Sequence, residues 1–287
     1  MWYERNPRFV ELVDKCKVKD FARSRGVDTA KSLFVTDRPE RIPFEDLPAD
    51  YFIKANHGWR WNILCSESRH RFFGDGSGLV SKTNSECDRT SDRGEFLTHA
   101  QVLGLCTDWL GRKHSRHEWA YHQVAPKILV EERLVPAVGD ELRDYRMYTF
   151  GGTVKVIGIG SPSHRKNRSN VLFDPSWNPI DLSSYEREGR PERLPEKPGN
   201  LSRLIGAAEC IGEEIDFARI DLYDTTKGIM LGEITLYPEA GIRSTPTSCP
   251  KFNRWLGKQW RVDRTHYISR GGFLRKPLQM FPIESRP

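Results

Sequence analysis

No apolar run in this 287-residue sequence reaches the roughly 18 residues that cross a bilayer as a helix, so a transmembrane segment is excluded. The charged opening MWYERNPRFVELVDK lacks an apolar h-region, and no signal peptide is expected. The six cysteines (16, 65, 87, 106, 210 and 249) form no C-x-x-C pair. That argues against a zinc ribbon or a disulfide framework and for reduced thiols in a cytoplasmic protein. Zinc-finger spacing and RNA-binding signatures are lacking too, so no nucleic-acid partner is expected. No repeat occurs at the usual solenoid periods.

What is present can build a core and stay in water. Hydrophobic residues make up 37% and aromatics 11%, against 29% charged residues and a mean hydropathy of −0.62. The length suits one large domain or two modest ones. A formal charge of +6 favours anionic partners, whether nucleotides, acidic sugars, nucleic acid or an anionic membrane surface, without choosing among them.

In chain order, residues 7–25 carry an apolar stripe that predicts one helix stopped by Gly26, with Lys15, Lys17 and Lys19 along a solvated face. Short strands are expected at 32–36 and 51–55, the second containing Lys54. The turn from Asn56 to Asn62 contains Gly58 and can either cover phosphate with its N–H groups or form a hairpin with exposed tryptophans. Residues 68–94 read as a loop and 95–112 as a helix. His114, His117 and His122 are spaced wrongly for a helical zinc site, and Glu118 does not complete H-E-x-x-H. Strands follow at 125–134, 142–150, 153–160 and 171–173, with a basic loop at 161–168. Then come a polar excursion at 174–200, an amphipathic helix at 200–215, a last helix at 249–260 and a Pro-, Gly- and Arg-rich tail. The order predicts an α+β fold with mostly antiparallel sheet.

The stretch from Phe217 to Gly241 holds the strongest chemical signal. ARIDLY and IMLGEITLY flank the polar, Gly-ended turn Asp224 to Gly228 and predict an antiparallel hairpin. Period-two alternation then puts Arg219, Asp221, Glu233 and Thr235 on one face. Two carboxylates meeting there repel unless a cation lies between them, and hard oxygen donors suit Mg²⁺. A solvated face of ordinary charges, or a salt-bridge cluster, would give the same pattern.

FIKANHGWRWNIL, HEWAYHQVAPKILVEERL, DYRMYTF and ARIDLY followed by LGEITLYPEAG, with the opening YERNPRFVELVDKCKVKDF, resemble the TupA-like (teichuronopeptide synthesis) branch of the ATP-grasp superfamily. The resemblance spans Tyr3 to Gly241. It implies two α+β subdomains gripping ATP between antiparallel sheets, and ADP-forming ligation of a carboxylate to an amine through an acyl phosphate. By it, residues 1–130 hold the N-terminal helix and nucleotide lid with Lys54 and the flap 56–62. Residues 131–245 hold the Mg²⁺-binding hairpin, and 246–287 a helix and tail. Lys54 is expected on the α- and β-phosphates, with Lys15 or Lys17 supplying a further lysine. His57, Gly58, Arg60 and Asn62 belong to the flap. Glu131 is expected near the adenine amino group, Arg133 and Leu134 at the adenine hinge, and Asp144 at the ribose. Arg146 is expected at the nucleotide or acyl phosphate, and Arg219 at the transferring phosphoryl group. Asp221 and Glu233 are the expected Mg²⁺ carboxylates, and Thr235 stands where many relatives carry Asn. The family's flap usually reads Asn-His-Gly-Ser-Gly-Trp-Asn, so Trp59 and Arg60 depart from it, and Arg60 loses glycine's access to positive φ. By the resemblance, much of a usual N-terminal substrate-binding domain is expected to be absent. Recognition is therefore expected from 66–122, 161–200, the tail or a partner. The expected partners are an acid and an amine, one of them an acidic sugar or carrier-linked polymer, in surface-polysaccharide or secondary-metabolite assembly. A kinase on the same ATP site and a non-catalytic binder of an anionic polymer are the alternatives.

Overall fold

Alternation of buried and half-buried side chains along Tyr51–Ala55 and Phe217–Thr225 separates core from cleft in this molecule. The computed structural model describes residues 5–72, 96–114, 118–160, 171–180, 194–238 and 250–266. Its strands are β1 (Asp28–Thr29), β2 (Ser32–Thr36), β3 (Tyr51–Ala55), β4 (Asn62–Ser66), β5 (Arg69–Phe72), β6 (Phe96–Leu97), β7 (Ile128–Glu132), β8 (Asp144–Phe150), β9 (Thr153–Gly160), β10 (Leu172–Phe173), β11 (Phe217–Thr225) and β12 (Gly228–Thr235). Its helices are α1 (Arg8–Val13), α2 (Val18–Ser24), α3 (His99–Gly111), α4 (Trp119–His122), α5 (Leu201–Gly212) and α6 (Pro250–Gln259).

Two six-stranded sheets result. The first runs β2-β7-β3-β4-β5-β6 and is antiparallel throughout. The second runs β1-β12-β11-β8-β9-β10, antiparallel except for the short parallel pair of β1 with β12. Tyr51, Ile53 and Ala55 of β3 pack under Val102, Leu105, Cys106 and Trp109 of α3. Thr98 caps α3 reciprocally with Gln101. Behind the second sheet, α5 buries Leu201, Leu204, Ala208 and Ile211, three and four residues apart as one helical face requires, against Met147 and Ile220. No helix among the described residues is long and apolar enough to cross a membrane.

Three features differ from the sequence expectations. The single helix over 7–25 is two, because Asp14 leaves the helical region and its Oδ1 accepts from Cys16 N and Asn56 Nδ2 at 2.9 and 3.0 Å. A short polar side chain offering the backbone a local partner breaks helices in this way. Secondly, α1, α2 and β1 pack with the second sheet, while β7 lies in the first. Thirdly, β5 forms where a loop was expected. Residues 73–95, the basic loop 161–168, residues 181–193 of the excursion and the tail beyond 266 lie outside the described residues.

Candidate functional site

The second sheet lays its polar side chains out in rows. Residues opposite one another on neighbouring strands share a face. Arg146, Asp221 and Glu233 are register partners across β8, β11 and β12, and Tyr148, Arg219 and Thr235 form the adjoining row. After Asp221 the register slips, so that Leu222 opposes Leu231 and Gly232 is left over as a bulge. A Cβ at Gly232 would lie 2.5 Å from Tyr223 Cε2, so glycine is what leaves room for that ring at the cleft wall.

Arg219 Nε and Nη2 donate to the two oxygens of Asp221 at 2.7 and 2.6 Å, and Nη2 also donates to Thr235 Oγ1 at 3.0 Å. Arg146 Nε donates to Asp144 Oδ2 at 2.9 Å, while Asp144 Oδ1 is buried without a hydrogen-bond partner. Burial pushes the Asp221 carboxyl up to about 7, with Arg219 opposing and Asp144 and Glu233 adding repulsion. Burial also raises Glu233, but Lys15, Arg219 and His114 outweigh it and hold that carboxyl below its usual range. Asp144, Asp221 and Glu233 thus line one wall of a cleft, with an orphaned oxygen on Asp144. This donor set fits Mg²⁺, which is commonly bound by one or two carboxylates together with phosphate oxygens. Among the described residues no three His, Cys, Asp or Glu side chains are grouped to hold an ion alone, which agrees with a cation shared with a ligand.

The facing wall is basic. Alternation on β3 turns Phe52 and Lys54 to the cleft. Glu131, on neighbouring β7, pairs with Lys54 and with Lys19 of α2. Burial raises the Glu131 carboxyl, but the charges of Lys54 and Lys19 outweigh it and take it down to about 2. Lys15, in the break between α1 and α2, donates from Nζ to Gly58 O at 2.8 Å and from its backbone to Asn56 O at 3.0 Å. Asp14 and Lys15 together dock the N-terminal segment onto the flap.

The flap joins β3 to β4. Arg60 takes φ +59°, the left-handed region that the family's glycine would occupy freely, and its guanidinium lies 5.3 Å from the Trp59 ring centroid. Gly58 lies against the Trp61 ring, where a Cβ would meet Cε3 at 2.1 Å. His57 turns inward instead. It is 3% exposed, with Nδ1 at 3.0 Å from Asn56 Oδ1 and Nε2 at 3.2 and 3.1 Å from the carbonyls of Trp109 and Arg112.

The structure gathers Lys54, Gly58, Arg60, Asn62, Glu131 and Leu134 on one side of a single cleft. Asp144, Arg146, Arg219, Asp221 and Glu233 lie on the other, and the cavity between them is about 300 Å³. Three expected residues do not line it. His57 clamps the flap to the end of α3. Arg133 is exposed and bonds Asp50 and Ser66. Thr235 is reached through Arg219. Lys15 lines the cleft, and Lys17 is exposed away from it.

Sequence reasoning placed Lys19 on a solvated face, but it is a cleft residue only 6% exposed. Its position beside Val18 and three before Ala22, on the buried face of α2, was the available signal. Phe52, Trp61 and Tyr223 were likewise readable only as strand and turn aromatics. His114 accepts from Trp59 N at 3.3 Å at the flap base. Burial, with Lys15 nearby, pushes its imidazole down to about 4, and His117 lies outside the described residues.

The family model of the TupA-like ATP-grasp proteins matches residues 74–261 of this sequence, more than half of its length. The chain belongs to the TupA-like ATP-grasp family. That match runs past Gly241 through α6, so the region beyond the hairpin also belongs to the family pattern. The fold class is accordingly ATP-grasp, with mostly antiparallel sheets gripping a cleft. No curated protein sequence matches the chain. Among solved structures, a D-alanine–D-alanine ligase from Bacillus anthracis, complexed with ATP, is 14% identical with a TM-score of 0.45 over 86% of this chain and 61% of its own. D-alanyl-alanine synthetase A from Vibrio cholerae is 14% identical with a TM-score of 0.40, over 87% and 64%. The ATP-grasp ligase PsnB, complexed with a phosphomimetic precursor variant, Mg and ADP, is 13% identical with a TM-score of 0.40, over 88% and 60%. The chain spans about three fifths of the length of these structures.

Proposed function

We propose that this protein is an ATP-dependent carboxylate–amine ligase whose nucleotide lies in the cleft between the two sheets. The observation that carries the reading is the row Arg146–Asp221–Glu233, with Arg219 beside it, set across one cavity from Lys15 and Lys54. Three lysines, three arginines and five carboxylates around one space suit a triphosphate with its cation better than a neutral ligand.

In this reading Lys15 and Lys54 take phosphate oxygens, and the apolar side chains of Phe52, Leu134 and Leu142 flank the base. Mg²⁺, held by Asp221 and Glu233 with phosphate oxygens, would supply positive charge to the transferring group. A carboxylate oxygen of the acid substrate attacks the γ-phosphorus. The bond to the bridging oxygen breaks, and ADP leaves. Arg219, already fixed by Asp221 and Thr235, stabilises charge on the moving phosphoryl oxygens without reorganising. The amine nitrogen then attacks the acyl-phosphate carbon, loses a proton and expels phosphate. Positioning and fixed charge carry the catalysis.

The net charge of +6 supports an anionic substrate such as an acidic sugar or carrier-linked polymer, and the free cysteines among the described residues support the cytoplasm as the site of action. Incubation with ATP, Mg²⁺ and pooled acid and amine substrates tests the reading. ADP and phosphate should form only when both an acid and an amine are present. ADP without free phosphate, with a phosphorylated hydroxyl, indicates a kinase instead. Nucleotide binding with no turnover under any combination supports the non-catalytic binder.

A further inference from the structure

Glu131 sits between two ammonium groups. It is 7% exposed, and its β7 position is a diagonal neighbour of Lys54 on β3, since Lys54 opposes Leu129 and Phe52 opposes Glu131. Its Oε1 holds Lys54 and its Oε2 accepts from Lys19 Nζ at 2.9 Å. Lys19 reaches this point from α2, and its remaining contact is the Ala30 carbonyl at 2.5 Å. At 6% exposure Lys19 has little water to replace a lost partner. An ammonium buried without a counter-charge is strongly unfavourable. Lys54 differs, because 27% of its side chain stays exposed on the cleft.

Building on the nucleotide-cleft reading above, we propose that Glu131 is a positioning residue for the phosphate-binding lysines and does not read the adenine base. Both of its oxygens already serve charged donors. It neutralises one of two adjacent cations, anchors α2 to the first sheet, and aims Lys54 so that its free side faces the phosphates. Base selection then falls to the apolar surface of Phe52 and Leu134 and to backbone groups.

The test compares ATP with inosine triphosphate, which lacks the exocyclic amino group, on the full chain with Mg²⁺. Calorimetric Kd values for both are measured for the parent, Glu131→Gln and Glu131→Asp. Labelling of Lys54 by an amine-acylating reagent at pH 8 is followed by mass spectrometry, with exposed Lys17 as the internal reference. In Glu131→Gln both nucleotides should bind about tenfold more weakly or worse, with their ratio unchanged. Lys54 should label faster, because the carboxylate that holds its ammonium is gone. Glu131→Asp should recover part of both effects. If Glu131→Gln does not fold, the pair Glu131→Gln with Lys19→Met, which removes one buried charge of each sign, carries the same measurements. Loss of ATP affinity with inosine triphosphate unaffected overturns the proposal. So does unchanged labelling of Lys54, or unchanged affinity for both nucleotides. A parent that binds no nucleotide overturns the proposed function, and the labelling still decides the counter-charge.

Discussion

The two walls of the cleft are built on opposite electrostatic plans. One wall gathers Lys15, Lys19, Lys54 and Arg60 around two carboxylates, Glu131 and Glu132. The second-sheet wall gathers Asp144, Asp221 and Glu233 around two guanidiniums, Arg146 and Arg219. Each wall embeds a minority of opposite charge, which makes burial of the majority tolerable. Each also keeps an excess. The basic excess suits phosphates and the acidic excess suits a metal ion, so a metal-bound triphosphate matches both walls at once. An isolated surface salt-bridge cluster would have no reason to leave complementary excesses facing one cavity.

The comparison breaks most visibly if the acidic excess is removed. Glu233→Gln and Asp221→Asn should each lower ATP turnover by about a hundredfold or more while the fold persists, and extra Mg²⁺ should restore part of the loss. Either variant turning over at the parental rate with the parental Mg²⁺ requirement would falsify the metal assignment.

Removing one cation from the other wall has the next largest effect. ATP should raise the melting temperature modestly alone and clearly more with Mg²⁺, and Lys54→Ala should abolish most of that gain. Glu131 keeps Lys19 as a partner in that variant, so the unliganded melting temperature should change little. A thermal shift of parental size in Lys54→Ala takes Lys54 out of the phosphate site.

Acidity should move the two walls in opposite directions. Glu131 titrates near 2 in the folded protein against 4.5 for the ordinary carboxyl, so the unfolded chain binds the proton first as pH falls. Its stabilising contribution is complete above about 4.5 and is lost as pH drops toward 2. Asp221, raised by burial above the ordinary 3.8, is protonated first in the folded state, so its contribution weakens as pH rises above that value. Urea titrations across pH 2–8 should show an acid limb that Glu131→Gln flattens and a fall toward neutrality that Asp221→Asn flattens. Identical profiles for parent and variants would remove the contrast.

The smallest effect expected is at the flap. Arg60→Gly relieves a left-handed φ of +59° and should change stability by about 1 kcal/mol or less, with the flap retained. Activity should hold or improve if backbone N–H groups contact phosphate. Weaker ATP binding by calorimetry instead assigns the contact to the guanidinium.

Legibility in the sequence followed the range of the interaction. The hairpin was readable because strand alternation and a Gly-ended turn are local, and Asp221 does stand opposite Glu233. Lys54 and the Gly58 turn were readable for the same reason. The break at Asp14 was not, because the oxygen that accepts locally from Cys16 N is also held by Asn56, 42 positions away. Nor was the inward turn of His57, whose carbonyl partners lie on and beyond α3.

By itself, then, the sequence determined most of the strands and helices, the face on which the hairpin strands carry their charges, and the family pattern. The tertiary structure alone decided which charges meet. Lys19 and Glu131 are 112 positions apart, and although the stripe of α2 separates Lys19 from the exposed Lys17, nothing local says that its buried face meets Glu131. The burial of a charge depends on chain segments brought together at a distance, and period-two alternation carries no information about that.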